Sequence, residues 1–128
     1  MIDHMGFPVS DFEASVEFYE AALAPLGYGL EVEDLEGEVA VAGFGLPGEP
    51  AFFIASGDEP ANHRLHIAFK ADDRAAVRAF HMAALAAGGT DNGKPGIRAD
   101  YHDNYYAAYV IDPDGHNIEA VCHAPEAN

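Results

Sequence analysis

Apolar and polar positions recur at two periods along the chain, and each change of period marks an element. From Ile2 to Val9 the period is two: Met5, Phe7 and Val9 share one face, and Ile2, His4 and Gly6 share the other. At Ser10 the period lengthens. Ser10-Asp11-Phe12-Glu13 matches a capping box, and Phe12, Val16, Tyr19 and Leu23 recur at helical spacing to about Ala24. Pro25 and Gly27 stop that helix. Three short strands follow, about 28–35, 38–44 and 51–55, separated by turns that carry glycine and proline. Residues 56–64, with Gly57, Pro60 and Asn62, read as a linker of about nine residues, which spans at most about 30 Å.

Then the pattern restarts. Leu65-His66-Ile67-Ala68-Phe69 is a strand, Asp72 or Asp73 caps a second helix, and Gly88-Gly89 closes it. Sliding the sequence by 62 positions (66 − 4) aligns His4 with His66, Phe7 with Phe69, Asp11 with Asp73, Phe18 with Phe80 and Gly27 with Gly89. Ala14, Ala21, Ala22, Leu23 and Ala24 also meet their like, and a repeat of this kind reports a duplicated unit. The stretch Gly88 to Asn104 reads as a glycine-rich loop with a short strand near Ile97. The chain closes in a hairpin whose strands, Tyr105 to Ile111 and Asn117 to Cys122, flank the turn Asp112-Pro113-Asp114-Gly115. With that four-residue turn, Ala108 lies opposite Glu119 and Tyr106 shares their face. The predicted architecture is β-α-β-β-β, twice, with residues 124–128 as a loose tail.

Composition narrows the function. A chain of 128 residues with 49% hydrophobic residues makes one compact domain with a real core. No apolar run of about 18 residues and no basic leader is visible. Twenty-two acidic residues against 6 basic ones give a net charge of −16, which argues against nucleic acid and anionic membranes as partners. The single cysteine, Cys122, has no internal partner and fits a cytoplasmic setting. The acid Glu119, alone in an otherwise apolar strand, and the repeat-related histidines His4 and His66 are the candidate chemistry. Two imidazoles and a carboxylate can occupy one face of a divalent metal and leave other positions open. Gly6 and Ala68, on the histidines' own sides, leave room above such an ion. A lone strand histidine is more often a hydrogen-bonded core residue than a ligand; the repeat-related pair together with Glu119 is what points to a metal. Arg98, Tyr101, His102, Tyr105 and Tyr106 cluster before and within the hairpin, where binding groups gather. His102 and Tyr106, with Glu119, are the candidates for catalysis, and His102 could serve as a general acid or base. Arg98, Tyr101 and Tyr105 are the candidates for substrate binding. His63, His81, His116 and His123 receive no role.

The duplicated unit, a histidine in the first strand of each half and Asp112-Pro113-Asp114-Gly115-x-x-Ile118-Glu119 together resemble the glyoxalase/bleomycin-resistance/extradiol-dioxygenase group, the vicinal oxygen chelate superfamily. The resemblance covers essentially the whole chain. It implies an α+β fold in which two βαβββ modules, here residues 1–56 and 65–123, build a cup-shaped open-barrel sheet with helices outside. It implies metal ligands at His4, His66 and Glu119, a divalent ion (Fe, Mn, Zn, Ni or Co), a small-molecule substrate, and a homodimer that pairs modules across chains. Glyoxalase I enzymes add a fourth ligand, often glutamate, in the last strand of the first module. Here Ala51-Phe52-Phe53-Ile54-Ala55 offers none, a departure from the glyoxalase I pattern that leaves a dioxygenase level with a glyoxalase-like lyase or isomerase, and a thiol transferase of the fosfomycin-inactivating kind below both. The other expectation is a metal-free protein that sequesters a ligand, as bleomycin-resistance members do.

Overall fold

Helix starts and glycine stops recur at matched positions and set out the elements. The computed structural model describes residues 1–57 and 65–126; most of the predicted linker, with His63 and Arg64, lies outside the described residues, as do the last two residues of the tail. The order is β1 (Met5–Val9), α1 (Phe12–Leu23), a 3₁₀ turn (Ala24–Leu26), β2 (Gly29–Asp34), β3 (Val41–Leu46), β4 (Glu49–Ser56), β5 (His66–Lys70), α2 (Arg74–Ala86), β6 (Thr90–Ile97), β7 (Tyr106–Ile111) and β8 (Asn117–Cys122). The fold is α+β. Its strands form two mixed four-stranded sheets of identical topology, β1-β4-β3-β2 and β5-β8-β7-β6, each with one parallel pair at the first strand.

The repeat is visible in the capping. Asp11 caps α1 through Ala14 N at 3.1 Å, and Asp73 caps α2 through Ala76 N at 2.7 Å. The predicted capping box at Ser10 does not form, because Ser10 Oγ donates instead to Asp114 in the distant hairpin turn. The buried stripe of α1 is also rotated from the predicted one. Ser15, Phe18, Tyr19, Ala22 and Leu23 are buried, while Phe12 and Val16 are only partly covered.

One core unites both sheets and both helices. It takes Phe7, Val9, Phe44, Phe52 and Ile54 from the first sheet, Ile67, Ala108, Val110, Ile118 and Ala120 from the second, and Phe18, Leu23, Val77 and Phe80 from the helices. Ala107 and Val121 are buried outside it, on the opposite face of the second sheet. The hairpin turn pins the halves together. Asp112 Oδ1 accepts from Asp114 N at 2.9 Å and His116 N at 2.8 Å, while Asp112 Oδ2 accepts from the buried Tyr19 hydroxyl of α1. Burial, then the Asp112 carboxylate, push the Tyr19 phenol well above its ordinary value. The fully buried His116 ring meets Phe7 of β1 edge-on at 4.9 Å and accepts from Leu65 N at 3.1 Å.

Two further predicted details need correction. The short strand expected near Ile97 is longer, Thr90–Ile97, and takes about half of the stretch read as a loop: β6 pairs along β7 with register shifts around Gly93 and Gly96, where the missing side chains had hidden its periodicity. The hairpin register also differs by one residue. Asp112 N donates to His116 O at 2.9 Å, so these two residues still pair and only three residues make the loop, with Gly115 at φ 91°. Tyr109, not Ala108, therefore opposes Glu119. A slip of one residue exchanges the faces of a whole strand.

Candidate active site

Glu119 lies in the middle of β8, between Ala68 of β5 and Tyr109 of β7, on the face turned away from the shared core. Its side chain is 1% exposed. A buried carboxylate is costly unless it is paired and hydrogen-bonded, and here both oxygens have partners. His66 Nε2 donates to Oε1 at 2.7 Å, and the Tyr105 hydroxyl donates to Oε2. Burial first, and then Glu119, push the Tyr105 phenol well above its ordinary range, so it remains a donor at neutral pH. His66 is half exposed and looks onto an open recess of about 510 Å³ that Asn92, Arg98, Tyr101, Tyr109 and Asn117 also line.

Around this centre the predicted residues divide. Tyr101 stands at the rim, 67% exposed, with its ring 4.8 Å from that of Tyr105. The Arg98 guanidinium lies over the Tyr109 ring at 5.3 Å. His102 does not reach Glu119. Its Nδ1 accepts from Asn104 N at 3.1 Å, which leaves Nε2 to donate to His123 Nδ1 at 2.8 Å. The shifted register carries Tyr106 to the other face, where Arg74 stacks on its ring at 5.1 Å and Arg78 donates to its hydroxyl at 3.3 Å. Tyr106 thus packs under α2, and Tyr109 takes the place on Glu119's face that was expected for it. Tyr109, Asn92, Asn117 and His123 were not anticipated. Alternation from Glu119 would have found Tyr109 once the loop length was known.

His4 stands elsewhere. It precedes β1 on the first sheet, is largely exposed, contacts Asp3 at 2.7 Å and meets the Phe53 ring edge-on at 5.9 Å. Among the described residues no three His, Cys, Asp or Glu side chains converge as a metal site. The His66–Glu119 pair suits two ligands of a divalent ion: one imidazole nitrogen and one carboxylate oxygen face each other at 2.7 Å, and His66 lines an open recess. Among the described residues no third protein ligand lies beside them.

A family model described as the glyoxalase/bleomycin resistance protein/dioxygenase superfamily matches residues 1–120. A glyoxalase/bleomycin resistance protein from Albidiferax ferrireducens T118 is similar in structure at a TM-score of 0.79 and 32% identity, over 95% of this chain and 98% of that one. The fosfomycin resistance protein FosX from Mesorhizobium loti shares the fold at a TM-score of 0.67 and 23% identity, over 97% and 92% of the two chains. A glyoxalase I mutant from Zea mays does so at a TM-score of 0.68 and 23% identity, over 91% of this chain and 44% of that one. Among curated proteins none matches. The sheet topology, the duplicated helix caps and the match over residues 1–120 agree, and the chain belongs to the glyoxalase/bleomycin resistance protein/dioxygenase superfamily.

Proposed function

We propose that this protein is a divalent-metal-dependent enzyme acting on a small molecule that presents two neighbouring oxygens, of glyoxalase-like lyase or isomerase type or of dioxygenase type. The observation that carries the reading is Glu119, a buried carboxylate held by His66 and Tyr105 beside an open polar recess. His66 and Glu119 would hold the ion, which supplies Lewis-acid stabilisation of negative charge developing on the substrate. The residues of the chain then have separate tasks. Glu119 would hold the ion through Oε1, the oxygen now filled by His66 Nε2, and would accept or return a proton there only when that oxygen is released. Tyr105 keeps Oε2 aimed by donating to it, and its raised pKa prevents it from giving up that proton in competition. Asn92, bonded to Asn117 at 3.1 Å, and Arg98 line the recess where the substrate would lie.

His4 of a second copy is the proposed third ligand. A homodimer in which the first sheet of one chain faces the second sheet of the other would bring it there, and two-fold symmetry would produce two equivalent sites. Elemental analysis after reconstitution tests the assignment: His4→Ala and Glu119→Ala proteins should each lose metal. After they are refolded together, each heterodimer should regain one intact site, since both lesions fall in the same composite site. A Glu119→Ala protein that keeps wild-type metal content rejects the reading. A mixture that regains none rejects the shared site.

One observation favours a second reading, a metal-free ligand-sequestering protein. Both Glu119 oxygens are already satisfied within one chain, so the carboxylate does not require an ion. The net charge of −16 would suit a cationic ligand. Metal content of the purified protein separates the two.

A further inference from the structure

The recess beside the His66–Glu119 pair is lined by one strong cation, Arg98, and an irregular stretch of β6 lies beneath it. Arg98 follows the last residue of β6, and its side chain folds back along that strand, with Nη2 donating to Lys94 O at 2.7 Å. The return path runs over Gly93 and Gly96. A Cβ at Gly96 would stand 3.2 Å from Arg98 Nη1, and one at Gly93 would stand 3.3 Å from Nη2 and 2.7 Å from Tyr109 Cδ2. Both register shifts of the β6–β7 ladder involve Gly93, and the second runs on to Gly96. Irregularity in the strand, two absent side chains and the flat face of Tyr109 together make a cradle for one guanidinium.

That guanidinium is under-used. It has five N–H donors in a planar fork, and the bond to Lys94 O engages one of them. Among the described residues it makes no ion pair, although the chain carries 22 acidic side chains. Arg74, by contrast, pairs with Glu126 at 3.7 Å. Asp100 also lines the recess without an ion pair to Arg98. Beyond about 8 Å the remaining acidic surface is screened at physiological salt, so the local guanidinium governs what settles here. The amide pair of Asn92 and Asn117 adds neutral donors on the same wall.

We propose that Arg98, cradled over Tyr109 and beside Asn92 and Asn117, is the receptor for a carboxylate of the substrate, which is therefore a small organic acid whose reacting oxygens lie toward His66 and Glu119. The planar fork matches a carboxylate in bidentate geometry. This inference rests on the reading that this face holds the substrate, and it adds the substrate's class. Tyr109 acts as a positioning residue: its ring fixes the height of the guanidinium above the sheet.

A matched pair of probes tests it. 2-Hydroxybenzoate and 2-hydroxybenzamide share a ring and a phenol and differ in the charge of the second oxygen-bearing group. Calorimetric titration of the protein as purified should show the acid binding about tenfold or more tighter than the amide, the scale of one charge-assisted hydrogen bond. Arg98→Met, which keeps an apolar stem over Tyr109, should bring the acid down to the amide and leave the amide unchanged. Asn92→Asp, at an exposed strand position, should weaken the acid alone. Glu119→Gln should keep the preference for the acid. A wild-type protein that binds no divalent metal yet shows the Arg98-dependent preference sinks the metal reading and upholds this one. Equal binding of acid and amide, no binding of the acid at millimolar concentration, or a preference that survives Arg98→Met but vanishes in Glu119→Gln overturns it.

Discussion

The two sheets share topology and connectivity and differ on the faces turned away from the core. In the first, Gly6 of β1 pairs with Phe53 of β4, which pairs with Gly43 of β3. In the second, Ala68 of β5 pairs with Glu119 of β8, which pairs with Tyr109 of β7. The 62-residue repeat carries Gly6 onto Ala68, so Phe53 occupies the place of Glu119 and Gly43 the place of Tyr109. Each centre selects its neighbours. The Phe53 ring lies so close over Gly43 that a Cβ there would meet it at 2.6 Å, which makes an apolar platform on a glycine floor. The Glu119 carboxylate needs donors, and Tyr105 and His66 supply them. The faces toward the core stayed alike, with Phe18 and Phe80 both fully buried and Asp11 and Asp73 both capping. Packing constrains a core face to matched volumes; an open face carries no such demand and is free to take up chemistry.

The comparison can be broken or sharpened by substitution. The largest effect falls where the halves agree. Phe18→Ala and Phe80→Ala should each destabilise by about 3–5 kcal/mol, and by similar amounts, in urea unfolding. A cost confined to one of them would mean that the core is not shared. The faces that differ come next. Glu119→Ala should weaken divalent-metal binding by about 100-fold or more, roughly 2.7 kcal/mol, whereas Phe53→Ala should leave it within about twofold when titrated side by side. Phe53→Glu, which copies the second face onto the first, should tighten metal binding if the two faces meet in a dimer, as proposed.

The turns come third. The first half closes β3 and β4 through a two-residue turn, Pro47-Gly48, with Leu46 paired to Glu49. The second half closes through Asp112 to His116, which reaches across to α1. Tyr19→Phe should therefore cost about 1–3 kcal/mol, while Asp112 keeps its two backbone donors. The same phenol sets an alkaline limit. The folded-state pKa values of Tyr19, Tyr105 and Tyr109 lie above the ordinary one. Above about pH 10 the unfolded chain loses those protons first, so stability is full below that pH and declines as pH rises. The decline should be shallower in Tyr19→Phe when melting is followed from pH 9 to 11. The smallest effect belongs to His4→Ala, within about 0.5 kcal/mol of wild type in stability, because the side chain is exposed and outside the ladder.

Most of the fold could be read from the chain by itself. The helix caps, the hairpin, the repeat and the α+β class follow from local rules: an aspartate before a helical stripe, a glycine after it, alternation in a strand. His66 was legible through its repeat relation to His4, and Glu119 as a lone acid in an apolar strand; that these two meet is visible in the structure. Tertiary structure alone decided the rest. Whether Tyr106 or Tyr109 faces Glu119 turned on one residue of loop length, and that depended on Asp112 bonding simultaneously to the His116 backbone and to Tyr19, ninety-three positions away. Strand β6 was hidden because its glycines serve the Arg98 side chain rather than a period of two. The distance between His4 and Glu119 is likewise a property of how two sheets pack, and no local pattern encodes it. Local sequence specifies what each segment becomes; contacts between distant segments specify which of its faces meets the site.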